Sequence, residues 1–186
     1  MAKASDLSNG NFIRYNGELY VVTELIHRTP GNLRAFYQAK MKNIKNGKSA
    51  ENRFRPDEEV EIVRVEEREL QYLYKDGTAI VCMDNESYEQ YYVDEHLFGD
   101  SAGFLKEGIM VTVSFNDETA VYAAPPKSIE LEVTYTEPGL KGDTATNTLK
   151  PATLETGAEI RVPLFINTGE RIRVNPQTGE YVERVK

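Results

Sequence analysis

The chain has 186 residues, 40% of them hydrophobic, with one cysteine and a net charge of -8 from 22 Lys/Arg and 30 Asp/Glu. That apolar content supports one ordinary domain or several small ones, and the single Cys82 excludes an intramolecular disulfide framework and fits a reducing compartment. No stretch approaches the length of a membrane span and the opening MAKASDLSNGN lacks a signal-peptide apolar segment, so a cytoplasmic protein is expected. In chain order, Phe12-Ile13-Arg14-Tyr15, Asn16-Gly17 and Glu18-Leu19-Tyr20-Val21-Val22 predict a β-hairpin on its preferred two-residue turn. A strand over 20–26 and another over 35–42 enclose His27-Arg28-Thr29-Pro30-Gly31-Asn32-Leu33-Arg34. Pro30-Gly31 predicts a turn with proline at the first central position and a glycine of positive φ at the second, giving a projecting tip between Arg28 and Arg34. Lys40 and Lys42, with Lys45 beyond them, alternate along the outgoing strand and so share a face.

This region carries most of the positive charge. Residues 25–55 hold eight Lys/Arg (Arg28, Arg34, Lys40, Lys42, Lys45, Lys48, Arg53, Arg55) against Glu51 alone, a local charge of +7 in a chain whose remainder sums to -15. Such asymmetry reads as a basic arm for a polyanion, with a solvated surface as the plain alternative. Further turn signals at Asn46-Gly47, Asp76-Gly77, Asn116-Asp117 and Thr178-Gly179 space short β-branched and aromatic runs as small barrels do. Breaks near 65–68 and after Pro125-Pro126 divide the chain into 1–66, 67–130 and 131–186. The middle segment has 4 Lys/Arg and 13 Asp/Glu, hence -9. A basic first module suits RNA and an acidic second one a basic protein. Within the second, Cys82 lies in an apolar run and is expected buried, and Tyr88, Tyr91 and Tyr92 fall in an alternating stretch where packing is the default. Asp94 and Gly99 are candidate caps for one or two short helical turns.

Catalytic and metal chemistry find little support. His27 and His96 are far apart, Cys82 has no partner, and no nucleophile elbow, P-loop or dinucleotide fingerprint occurs. The acidic groups Asp57-Glu58-Glu59 and Asp117-Glu118 read as solvent-facing turns. No catalytic residue, metal or cofactor is therefore assigned.

Asn9-Gly10, the Asn16-Gly17 hairpin, the Pro30-Gly31 loop, Lys42-Asn43 with Gly47, and Arg53-Phe54 together resemble bacterial elongation factor P along the whole chain. The strongest signature is KPATLETGAEIRVPLFINTG over 150–169, with Lys150, Ala152, Gly157, Ile160, Val162, Pro163, Ile166 and Gly169 in register. The resemblance implies an all-β, L-shaped, tRNA-like monomer: an SH3-like (KOW-type) first domain followed by two OB-fold domains. It also implies a non-enzymatic factor that binds the ribosome between the peptidyl and exit sites and relieves stalling at consecutive prolines. Its partners would be the ribosome, peptidyl-tRNA and rRNA, with a basic ribosomal protein against the acidic middle domain and no membrane.

On that resemblance the tip Pro30, Gly31, Asn32, Leu33 and Arg34 lies at the peptidyl-tRNA, while Arg28, Lys40, Lys42 and Lys45 contact tRNA or rRNA phosphates. Gly142-Asp143-Thr144 matches the family's exit-site codon loop, although Asp143 equally suits a turn closed by its own side chain. Tyr181 and Arg184 either face RNA or, for Tyr181, pack in the barrel. The sequence departs from the family at Asn32, where a lysine or arginine is usually extended by enzymes. Asparagine offers no such cation, which leaves Arg34 as a phosphate contact or as a modification target itself. Two readings of different class stay open: a ribosome-bound translation factor, a functionally diverged paralogue included, and a generic RNA-binding β-barrel protein, which would need exposed stacking aromatics beside its cations.

Overall fold

A computed structural model of the chain describes residues 1–139 and 148–186. The described residues are all-β apart from short 3-10 turns, with strands β1 (Ala2–Lys3), β2 (Phe12–Tyr15), β3 (Glu18–Arg28), β4 (Phe36–Asn43), β5 (Ser49–Phe54), β6 (Glu59–Val63), β7 (Glu66–Asp76) and β8 (Ala79–Met83). They continue with β9 (Gln90–Asp94), β10 (Met110–Asn116), β11 (Thr119–Ala124), β12 (Ile129–Thr136), β13 (Leu149–Leu154), β14 (Glu159–Pro163), β15 (Arg171–Asn175) and β16 (Glu180–Arg184). Three sheets result: six strands ordered β1-β6-β2-β3-β4-β5, then five ordered β11-β10-β7-β8-β9, then five ordered β14-β13-β12-β15-β16. Among the described residues no helix is long and apolar enough to cross a membrane.

Turn chemistry sets the register of the first sheet. Asn16 at φ 49° and Gly17 at φ 81° form the two-residue turn expected between β2 and β3, and the double left-handed conformation matches the twist of the flanking strands. Tyr15 therefore faces Glu18 and Phe12 faces Val21. Alternation then sends Ile13, Val22, Ala39, Met41, Phe54 and Val60 into one core with Ala4 and Leu7. Tyr15 closes its end, edge-on to Tyr20 at 5.8 Å and to Phe54 at 6.0 Å.

A bulge interrupts β3. Val22 faces Met41, but Glu24 rather than Thr23 faces Lys40. The extra residue is held by its own hydroxyl, which donates to the Lys40 carbonyl at 3.1 Å. The third sheet repeats the device: its register shifts between Val133 and Tyr135, where the Thr134 hydroxyl donates to the Thr153 carbonyl at 3.1 Å.

By contact the described residues form two compact units, 1–67 with 114–122 and 68–113 with 123–186. The tip of the β10–β11 hairpin joins the first unit because Tyr122 packs on Phe12, with ring centroids 5.9 Å apart, and Asn116 donates to the Arg64 carbonyl at 3.0 Å. In the second unit, Asp94 caps a 3-10 segment, Glu95–Phe104, by accepting from the His96 N–H, and Gly99 at φ 59° kinks it. The third sheet buries Leu131, Val133, Val162, Ile172 and Val174 completely. Lys150 is buried with them, its ammonium donating to the Glu137 carbonyl at 2.5 Å.

Cys82 is buried, and burial pushes its thiol up to about 11. An unfolded cysteine ionises near about 8.5, so between about 8.5 and 11 the unfolded chain gives up a proton that the folded chain keeps. Stability from this group is thus complete below that window and falls as pH rises through it. Urea unfolding of the wild type should lose more stability between about pH 8 and about pH 10.5 than that of Cys82→Ala. Equal losses would contradict the assignment.

Candidate nucleic-acid interface

Residues 29–35 connect β3 to β4 above the last pair, Arg28 and Phe36. The turn sits one residue later than the Pro30-Gly31 pattern predicts. The Leu33 N–H donates to the Pro30 carbonyl at 3.1 Å, so Gly31 and Asn32 are the central residues, and Gly31 is not among the glycines of positive φ. Proline's fixed φ serves the entry to the turn rather than its centre. Gly31, Asn32, Leu33 and Arg34 are all exposed, Leu33 at 76%.

The outer face of the sheet continues this tip in rows. Arg28 faces Phe36, and Arg53 of β5 reaches over the Phe36 ring at 5.2 Å from its centroid. Two outward-facing rows beyond Phe36, Lys40 lies between Glu24 and Glu51. Its ammonium is 2.5 Å from the Glu24 carboxylate, and the hydrogen bond to Glu24 raises the lysine above its ordinary range. Gln38, in the row between Phe36 and Lys40, donates diagonally to Glu51. The cationic strip expected along β4 is therefore interrupted at Lys40. Lys42 faces Ser49, and Lys45 sits on a turn whose N–H groups at 45 and 46 are held by the buried Asn43 side chain, with Gly47 at φ 69° closing it. Among the described residues Arg28, Arg34, Lys42 and Lys45 form no ion pair.

This arrangement yields a test of electrostatics. Glu24→Gln should release Lys40 for a phosphate, steepening the dependence of log K on log salt by about 0.7–0.9 and tightening binding at low salt. Titration of RNA or ribosome binding at several salt concentrations measures it, and an unchanged slope would show that Lys40 does not reach phosphate.

Gly142, Asp143 and Thr144 lie outside the described residues. Tyr181 is half-buried across from Val174, and burial raises its phenol above the ordinary value. Arg184 contacts the Glu170 carboxylate at 3.3 Å and the Phe165 ring at 5.8 Å. Phe165, 58% exposed, was not legible as a surface residue from an apolar run. In the middle sheet the core or cross-strand packing expectation is corrected at Tyr88. Tyr88 stands at φ 60° on the β8–β9 turn, 72% exposed, and Tyr92 is 65% exposed. Tyr91 is engaged as expected, with Arg68 and Glu89, and the Tyr92 hydroxyl hydrogen-bonds that of Tyr74 on the same sheet. Asp84 pins this turn by accepting from the N–H groups of Glu86 and Ser87, which lower its carboxyl. Lys75 and Lys106 are ion-paired with Glu95 and Glu155, and most acidic residues of the middle module are exposed.

Family models match the chain in three consecutive stretches: the elongation factor P KOW-like domain over residues 3–60, the elongation factor P OB domain over 65–123, and the elongation factor P C-terminal domain over 129–184. The chain belongs to the elongation factor P family. Curated relatives agree over full length. Elongation factor P of Chloroherpeton thalassium is 50% identical over 187 residues and that of a Roseiflexus species 48% over 187 residues, each alignment covering 100% of both chains. Elongation factor P of Mycobacteroides abscessus is 46% identical over 185 residues, 100% of this chain and 99% of its own. The protein is accordingly a ribosome-binding translation factor and not an enzyme.

Proposed function

We propose that this protein binds between the peptidyl and exit sites and steadies the peptidyl-tRNA, so that peptide bonds between consecutive prolines form faster. The single observation that carries the proposal is the exposed 29–35 loop, flanked by Arg28 and Arg34, in the KOW-like region of a family member. Proline's ring restricts the geometries open to the reacting ends, and holding the tRNA raises the productive fraction without supplying a reacting group. The three modules act as an SH3-like domain over 1–66 and OB-type domains over 67–130 and 131–186. The unpaired cations meet RNA phosphates, and the solvent-facing acids of the middle module meet a basic ribosomal protein. Gly142-Asp143-Thr144 reads the exit-site codon. The tip works unmodified through Asn32, Leu33 and Arg34, with Arg34 as a phosphate contact. An intact mass equal to that of the bare chain, measured on protein from its native host, supports an unmodified tip, and an added mass mapped to Arg34 refutes it.

The deciding experiment adds the purified protein to a translation system lacking its own factor. Full-length yield from a message with consecutive prolines should rise, and yield from a proline-free control should not. No rise on the proline message rejects the proposal, and binding to free single strands as tight as to ribosomes with an occupied peptidyl site favours a generic RNA binder.

A further inference from the structure

A cleft of about 380 Å³ opens at the root of the loop, lined by His27, Arg28, Thr29, Pro30 and Phe36. Phe36 is the unusual member. It is half-buried yet lies outside the apolar cluster that Tyr15, Tyr20, Leu25 and Tyr37 pack against. Being opposite Arg28 it faces outward, on the side of the sheet away from Met41 and Ala39, and Arg53 approaches its ring at 5.2 Å from the centroid. Neither arginine is paired with a carboxylate among the described residues. An aromatic ring in a cleft that Arg28 also lines, with the unpaired guanidinium of Arg53 over that ring from the neighbouring strand, is the composition with which proteins hold an unstacked base and its adjoining phosphates.

We propose that this cleft is a nucleobase pocket in which an unpaired RNA base stacks against Phe36 while Arg28 and Arg53 engage the phosphates on either side of it. The occupant is RNA because the rim is cationic and the wall apolar and aromatic. An acidic peptide would satisfy the arginines and leave the ring without a planar partner. The proposal rests on the function above only for the identity of that RNA, the ribosome-bound peptidyl-tRNA. It predicts that Phe36 contributes through its ring and not through core stability, and that its effect is independent of salt.

The test places 2-aminopurine singly at each unpaired position of a peptidyl-tRNA bound to ribosomes and follows its emission as the factor is added, with occupancy checked by co-sedimentation. Wild-type protein should quench one position. Phe36→Leu should abolish that quenching and weaken binding by about 5- to 150-fold with an unchanged salt slope, the worth of one stacked base. Phe36→Tyr should restore both. Arg28→Ala should instead lessen the salt slope by about 0.7–0.9. Quenching at no position by wild type, equal quenching by Phe36→Leu, or failure of Phe36→Tyr to restore it overturns the pocket. Proline-message yield is read in parallel. If wild type stimulates but Phe36→Leu quenches equally, the pocket falls and the function stands. If wild type fails to stimulate while quenching still depends on Phe36, the function falls and the pocket stands.

Discussion

Replacing Pro30 through Arg34 with a short Gly-Ser linker is expected to bring proline–proline bond formation back to the rate without the factor, a loss of about thirty- to a thousand-fold if orientation contributes roughly 2–4 kcal/mol. Bonds between other residues should keep their rate. The expectation follows from where the loop stands: its tip is exposed and it hangs from the β3–β4 ladder at Arg28 and Phe36. Removing it touches none of the first core, which begins at Ala39, Met41 and Val22 below. The linker variant should thus fold and sediment with ribosomes through the remaining cations while failing at the chemistry step. Rapid-quench measurement of the first proline–proline bond decides it, and a variant as fast as wild type would show that the tip is dispensable.

Leu131→Ala is expected to cost about 2–5 kcal/mol of stability, the usual range for a leucine wholly enclosed in a core. Leu131 is 0% exposed at the middle of β12, facing Ile172 of β15. It belongs to the same inward row as Ile129 and Val133, which are also buried. At about 2–4 °C per kcal/mol for a chain of this length, thermal scanning should show a clear drop in midpoint. A drop below about 1 °C would mean that the third sheet relaxes around the missing atoms far more than leucine cores usually do.

Much of the fold was readable residue by residue. Asn16-Gly17 names its turn because only residues tolerant of positive φ fit it, and the alternation of Ile129, Leu131 and Val133 marks a buried face directly. The site was readable in composition and less so in space. Counting from Leu25 leaves Glu24 out of the basic segment, and simple alternation would place Glu24 against buried Ala39. The Thr23 bulge moves it one step, to the outer face opposite Lys40. Nothing in a threonine among β-branched residues announces a bulge, so the broken cationic strip could not be foreseen. The Pro-Gly pair pointed to a turn but not to its frame, which is set by the Leu33 to Pro30 hydrogen bond. Exposure of Tyr88 follows from a turn pinned by Asp84, whose aspartate signal was outweighed by the tyrosine-rich run beside it. Grouping of the β10–β11 tip with the first unit depends on Tyr122 meeting Phe12, 110 positions earlier by their numbers, a pairing no local pattern encodes.

Gly31 carries one more implication. Its backbone angle is one that any amino acid adopts, and a methyl group built there would meet nothing within 4 Å. The fold itself is therefore indifferent to alanine at that position, and whatever penalty the change brings must be imposed by the molecule the loop approaches. This makes Gly31→Ala an internal ruler for how closely another surface presses on the apex.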